Sequence, residues 1–398
     1  MKRILAITLL LLAFISISFL LWKPKLQKLS FKKADFSRLP GWGTTNIQKS
    51  LLAFQLSCKT FLKQNPNKSV GSDYVPLKAK DWYPACQAAL ALKPGVHHSD
   101  IQGFFQQWFT PVEFYKQEPV KGLFTGYYMP LLHGSLTKTT TYHVPLYAVP
   151  KNLVSVHLED FDKKLKPHSF AARVHKKRVI PYFTREQINN GAISKIAKVI
   201  AWIDSPIERS FLEIQGSGIV ELQDGRQLPI NYAGENGAPY TAIAKILINK
   251  GVMTRDNASM KHIRRYLESH PTLINSILNK NKSFVFFDVI KHGSALGSQG
   301  IALTPGYSLA IDLKWIPLGA PVWLNTTSPG DKTNSQNIFQ RLMVAQDTGG
   351  AIKGAVRGDI YWGAGDKAAK MAGRMKNNGH YWLLLPKHVL SRMQEKII

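Results

Sequence analysis

The stretch DTGGAIKGAVRGDIYWGAGDKA, residues 347–368, restricts the fold more than any other. It sets three aspartates, Asp347, Asp359 and Asp366, among six glycines: Gly349, Gly350, Gly354, Gly358, Gly363 and Gly365. Glycine reaches backbone conformations closed to other residues and lets a ligand come close to the chain. Aspartates spaced among glycines therefore imply loops that present carboxylates. VAQD reads as the end of one strand and GDIYWG as the start of the next, so the intervening loop can bring Asp347 and Asp359 together. Aspartate also shapes turns without doing chemistry. DKAAKMAGRMKNNG follows as a helix, and Asp366 is read as its cap.

The rest of the chain divides by texture. Helical segments are expected over about 46–64, 82–91 and from Ser99, the first two bearing the cysteines Cys58 and Cys86. From residue 118 the pattern changes to short strands, GLFTGYYMPLL, HVPLYAVP, RSFLEIQGSGIVEL and RQLPINYAG, separated by turn residues as in a barrel or sandwich. Thr184 and Gln187 form a capping-box pair for a short helix between them. Residues 240–280 turn helical, and strands with glycine loops return from Ser283.

Lys and Arg number 52 against 25 Asp and Glu, a net charge of +27. Such an excess points either to an anionic partner or to a solvated basic surface. Nucleic acid is not the expected partner, because no zinc-finger spacing, RNP-like motif or basic zipper is present. Ile4–Trp22 is an uncharged apolar run behind two basic residues. It is long enough to span a bilayer, and a cleaved signal peptide is the alternative. The lysines after it would favour retention on the cytoplasmic side, so charge leaves the orientation open. Cys58 and Cys86 fit either a disulfide of an oxidising compartment or two buried thiols.

Paired carboxylates are the tools of glycoside cleavage, where one acid protonates the leaving oxygen. That acid needs a raised pKa, from burial or a like-charged neighbour. Tyr127, Tyr128, Tyr361 and Trp362 lie in glycine-flanked strands, where rings either stack on sugars or fill a core. DTGG is also the start of an aspartic-protease site, but such a site needs two of them. HGSALGSQG resembles a phosphate loop without its Gly-Lys-Ser/Thr ending. His97-His98 has no third ligand at metal spacing, and neither a metal nor a cofactor is expected.

Taken together, GLFTGYYMPLLHGS, IPYFTREQINNGAI, WIDSPIERSFLEIQGSG, YAGENGAPYTAIAKILINKG, SFVFFD, LTPGYSLAIDLKWIPLGAPVWL and the aspartate block resemble the membrane-bound lytic murein transglycosylase A (MltA) family. They occur in family order over roughly 45–395, and the last block resembles the three-aspartate (3D) domain signature. The resemblance implies a mainly β fold with helices: a double-psi β-barrel domain, an inserted second β-barrel domain and a groove between them. The implied segments are an N-terminal anchor or signal over 1–23 and a linker over 24–44. The barrel domain with its N-terminal helices takes 45–126 and 283–398, and the insert takes 127–282.

The resemblance further implies cleavage of the β-1,4 bond between N-acetylmuramic acid and N-acetylglucosamine in peptidoglycan, with a 1,6-anhydro product. Asp359 would be the acid and base, and Asp347 its supporting carboxylate. Thr125, Tyr127, Gln215, Ser217, Lys353 and Trp362 would bind substrate. The implied partners are glycan strands, a membrane through the N-terminal segment, and other wall enzymes, in the periplasm or elsewhere in the envelope. The chain departs from the pattern in lacking an N-terminal lipid-bearing cysteine, and in Tyr307 where a basic residue is expected.

Overall fold

The strand Lys376–Pro386 hydrogen-bonds to three neighbours and closes the larger sheet on itself. The computed structural model describes residues 29–93, 95–165, 169–255, 257–290, 294–329 and 338–393. In chain order the strands begin with β1 (Ser30–Lys33), β2 (Phe109–Tyr115), β3 (Gly122–Met129), β4 (Leu131–Ser135) and β5 (Val144–Tyr147). Next come β6 (Val154–His157), β7 (Ser169–His175), β8 (Arg178–Pro181), β9 (Val199–Ile203), β10 (Ser217–Leu222), β11 (Gln227–Glu235) and β12 (Val285–Val289). The last are β13 (Ser308–Ile311), β14 (Pro321–Thr327), β15 (Ile338–Thr348), β16 (Arg357–Ala364) and β17 (Lys376–Pro386).

The ring β17-β14-β15-β13-β16-β3 returns to β17 and makes a closed six-stranded barrel, with β2 and β1 continuing from the far half of β17. Closure removes the sheet edges that would otherwise recruit other strands. Alternation decides which side chains fill it. Leu309, Ile311, Val322, Leu324, Leu342, Val344, Ile360 and Leu383 are all fully buried in one core. Each such side chain contributes about 1.5–3 kcal/mol. A one-residue slip of β16 would turn Ile360 outward and Asp359 into this core, so packing fixes the carboxylate's position.

Helices Gln48–Lys63, Tyr83–Ala91 and His98–Trp108 back the barrel. Their apolar faces join through Phe54, Trp82, Phe104, Phe105 and Phe109, and Phe61 stacks on Trp82 with centroids 5.0 Å apart. Buried Gln346 on β15 donates to the Ala53 carbonyl (2.7 Å) and to Ser57 Oγ (3.0 Å), while Ser57 donates to Gln299 (2.8 Å). The first helix is thereby tied both to β15 and to the loop before β13. Cys58 on that helix is disulfide-bonded to Cys86 on the next, across a sequence separation of 28. Closing a loop of that length in the unfolded chain is worth roughly 3–4 kcal/mol. The Cys58→Ala/Cys86→Ala chain should lose about that much in a denaturant titration; an unchanged midpoint would show that the bridge does not stabilise the helical layer.

The second unit is a six-stranded sheet, β12-β11-β10-β4-β9-β5, whose end strands β5 and β12 approach each other. Leu132, Leu146, Ile203, Leu212, Val220, Ile230 and Phe287 fill it. A small sheet, β6-β7-β8, lies beside it in sequence. The expected capping box of Thr184 and Gln187 opens the helix Arg185–Asn189. Helix Pro206–Gln215 starts at Ser205, whose hydroxyl accepts from the next turn, with Pro206 first in the helix. It stops at Gly216, whose φ of +78° suits glycine. Helix Gly365–Arg374 starts after Ala364, so Asp366 lies in the first turn rather than at the cap. There its charge still complements the helix dipole.

Strand pairing moves the expected borders. β3 runs in the barrel through Met129, because it pairs with β16 as far as Ala364↔Met129. β12 belongs to the second sheet, paired with β11. The strands of the second sheet therefore run from β4 to β12. Of the expected linker, Ser30–Lys33 is β1 and Trp42 is buried against Phe105 and Trp323, so this part packs on the barrel instead of tethering it. The expected N-terminal anchor lies outside the described residues. Among the described residues no helix is long and apolar enough to cross a membrane.

Candidate active site

One row of side chains crosses four adjacent barrel strands. Ala310 on β13 is the register partner of Asp347 on β15 and of Asp359 on β16, and Asp359 is the partner of Thr125 on β3. Partners across a sheet share a face. Asp347 and Asp359 thus stand two strand spacings, roughly 10 Å, apart along the backbone, with small Ala310 between them. Tyr127 and Tyr361, two residues further on, are also paired. Their ring centroids are 5.3 Å apart. They pack with Met129, Ile290, Ala295, Leu303 and Ala310 into an apolar layer outside the barrel, walling the carboxylates.

The two carboxylates are bonded differently. Asp347 is the more heavily bonded. Its Oδ1 accepts from Ser298 N–H, Ser298 Oγ–H and Thr348 N–H, each at 2.9 Å, and its Oδ2 accepts from the Tyr127 hydroxyl at 2.7 Å. Asp359 accepts from Thr125 Oγ1–H on Oδ1, at 2.6 Å. Among the described residues its Oδ2 has no hydrogen-bond partner. Burial pushes the Asp359 pKa up to about 6, against the pull of the Thr125 bond and Arg357, and the charge of Asp347 adds to the rise. Burial raises Asp347 as well, while its donors hold it down. Burial and the Asp347 charge keep the Tyr127 phenol far above its ordinary value, so it stays a donor.

The other expected site residues fall in three places. Gln215, at the end of helix Pro206–Gln215, accepts the Tyr128 N–H at 3.0 Å and joins the second unit to β3. Ser217 is buried at the start of β10, opposite Asn231. Lys353 is exposed on the loop between β15 and β16. Trp362 does not join the group. Alternation turns it to the other side of β16 from Tyr361, where its ring meets Phe339 at 5.8 Å. A Cβ on Gly126 would lie 2.5 Å from its indole nitrogen and 2.9 Å from Ala372 Cα, so Gly126 lets this ring and helix Gly365–Arg374 pack against β3.

Three functional groups were not singled out from sequence as site residues: Ser298, Thr348 and Arg357. Ser298 belongs to the HGSALGSQG run, whose glycines were a signal of close backbone approach. A Cβ on Gly297 would fall 2.3 Å from the Gln346 carbonyl. Only a bare backbone brings the loop near enough for Ser298 to bond Asp347. Among the described residues no group of three or more His, Cys, Asp or Glu is placed to hold a metal ion. A recess of about 910 Å³ beside Lys33–Thr44, Gln106, Thr110 and Lys387 shares no residue with the site.

The arrangement offers a half-buried acid with one anchored and one unpartnered oxygen, beside a second, fully bonded carboxylate. Residues 123–288 match the family model described as MltA specific insert domain, and residues 307–385 match the 3D domain. The chain is 33% identical over 267 residues to the membrane-bound lytic murein transglycosylase A homolog of Buchnera aphidicola subsp. Schizaphis graminum, covering 65% of each protein. It thus spans 65% of the length of that curated relative. It is similar to the crystal structure of MltA from Neisseria gonorrhoeae in its monoclinic form, with 30% identity and a TM-score of 0.74, over 90% of this chain and 93% of that one. The membrane-bound lytic murein transglycosylase of Agrobacterium tumefaciens gives a TM-score of 0.81 at 26% identity, over 91% of this chain and 99% of that one.

Proposed function

The chain belongs to the membrane-bound lytic murein transglycosylase A family, and on that premise we propose that it cleaves peptidoglycan glycan strands as a lytic transglycosylase. The bond broken joins C1 of N-acetylmuramic acid to O4 of N-acetylglucosamine. The glycan lies along the face of β3, β16 and β13, between the barrel and the insert. Lys353 on the adjoining loop meets the carboxylates of the substrate.

Asp359 acts twice. Protonated, it gives its hydrogen from Oδ2 to the glycosidic oxygen as the C1–O4 bond breaks. The C6 hydroxyl oxygen of the same muramic acid then bonds to C1, and its proton returns to Asp359. The acid is regenerated, and neither water nor a second base is consumed. The attack is intramolecular, and its high effective molarity lowers the barrier. In its carboxylate form Asp347 supports the positive charge that develops at C1. The observation carrying this reading is Asp359 itself, with a pKa near 6, one oxygen fixed by Thr125 and the other without a hydrogen-bond partner among the described residues. A hydrolase using Asp347 to activate water is disfavoured, because that carboxylate already accepts four hydrogen bonds.

The disulfide suits an oxidising compartment, and the relatives are described as membrane-bound. We therefore place the protein in the cell envelope, facing the periplasm, with the apolar run at 4–22 as its membrane segment.

Mass spectrometry of fragments released from purified peptidoglycan tests this. Anhydro-muropeptides are expected. Turnover should fall as the pH rises through about 6, because the first step needs Asp359 protonated. Reducing ends would mean a hydrolase. Intact peptidoglycan that merely co-sediments with the protein would mean a binding module.

A further inference from the structure

Arg357 stands two residues before Asp359 on β16, on the same face of the strand. Three oxygens hold its guanidinium. Nη1 donates to the carbonyls of Leu123 (3.1 Å) and Gly358 (2.5 Å), and Nη2 donates to the Thr125 hydroxyl (2.9 Å). Arginine has five N–H donors and no acceptor. Thr125 Oγ1 must therefore accept from Arg357, and its own hydrogen points to Asp359 Oδ1.

That direction matters once Asp359 is protonated. A free threonine hydroxyl can donate or accept. If Thr125 accepted from Asp359, the acidic hydrogen would sit on Oδ1, against β3. With one lone pair of Thr125 Oγ1 taken by the Arg357 cation, turning the hydroxyl to accept from Asp359 as well would strand its own hydrogen, which has no other acceptor among the described residues, so the proton goes to Oδ2. We infer that Arg357 is a proton-placement residue, which fixes the direction of the Thr125 bond and so keeps the acidic proton of Asp359 on the oxygen open to substrate. Its guanidinium is held by protein oxygens and is bonded to Asp359 only through Thr125, so its role is positioning. The inference rests on the acid role proposed above for Asp359.

Arg357→Met removes the donors and the charge but keeps much of the bulk. Its kcat on glycan strands should fall roughly 10- to 100-fold, less than the whole general acid contributes, with KM within about threefold. The alkaline limb of its pH–rate profile should move to higher pH. Two groups that favour the Asp359 carboxylate, the cation and the fixed hydroxyl, are then lost. Arg357→Lys should move the limb less yet keep most of the kcat loss, since an ammonium cannot reproduce the planar fork. In a Thr125→Val background, Arg357→Met should add little to the kcat loss, because proton placement runs through one hydrogen bond, while removal of the cation still moves the limb.

An unmoved limb, or losses that simply add in the double variant, would overturn the inference and leave Arg357 a structural clamp. A second readout needs no turnover. The pH dependence of the stability difference between a chain and its Asp359→Asn counterpart reports the Asp359 pKa, and it can be compared with and without Arg357→Met. A parent enzyme that releases no anhydro ends would sink the proposed reaction, while this comparison still decides whether Arg357 acts on Asp359.

Discussion

Asp359→Asn should abolish release of anhydro-muropeptides, by about four orders of magnitude, while making the protein more stable at neutral pH. The first half follows from the two proton transfers assigned to one carboxyl, since a positioned acid or base contributes about 10²–10⁴. The second half follows from its burial. The Asp359 pKa is about 6 in the fold and 3.8 in its ordinary state. Between those values the native chain holds the proton more tightly than the unfolded chain. Stability contributed by the protonated form is therefore present below pH 3.8 and lost as the pH rises to 6. Above that window the cost is constant, up to about 3 kcal/mol at 1.36 kcal/mol for each pH unit. Asparagine keeps the shape and carries no charge. Its advantage in urea unfolding should be full above pH 6, about half as large near pH 5 and absent near pH 3. An advantage that is equally large in acid would show that packing, not ionisation, is responsible.

The largest structural loss is expected at Glu213, in the insert. Its carboxylate receives both terminal nitrogens of Arg185 and lies 3.7 Å from Nε of Arg209, one helical turn away. All three side chains are almost completely buried. Arg185 also donates to the carbonyls of Asn281 (2.9 Å) and Ser283 (2.5 Å), and both guanidiniums lie over the Phe284 ring. Burial pulls the Arg209 pKa down to about 10 in spite of Glu213. Glu213→Ala leaves two buried cations without a counter-charge, which costs about 3–5 kcal/mol. Because helix Pro206–Gln215 also carries Gln215, the bond to β3 should loosen, and activity should fall with stability. Adding Arg209→Met to Glu213→Ala removes one stranded charge and should recover part of the loss. A single variant within 1 kcal/mol of the parent would refute the argument.

The strands that bear the site were legible because glycine and alternation mark them. GLFTGYYM and RGDIYWGA appear as β3 and β16, and the closed barrel with an inserted β unit is the architecture the family motifs implied. The register was not legible. No property of the sequence says that Thr125 lies opposite Asp359, or that Ala310 lies between the two aspartates. The effect of Arg357 depends on its reaching Thr125 on the neighbouring strand, which only the register reveals. Ser298 bonds Asp347 from 49 residues away, through a loop that returns to β15. Trp362 was grouped with Tyr361 by composition. The strand period of two already separates Asp359 and Tyr361 from Ile360 and Trp362. The borders of the insert shifted because β3 and β12 are extended runs that either sheet could have claimed.

The barrel joins β3, which precedes the second sheet in the chain, to β16 and β17, which follow it. The bond from Thr125 to Asp359 spans 234 residues. Contacts so distant in sequence form late. A chain that is still being synthesised holds Thr125 without its carboxylate partner. On the function proposed above, the acid meets its threonine only once β16 has joined β3, so a chain truncated before β16 should be inactive.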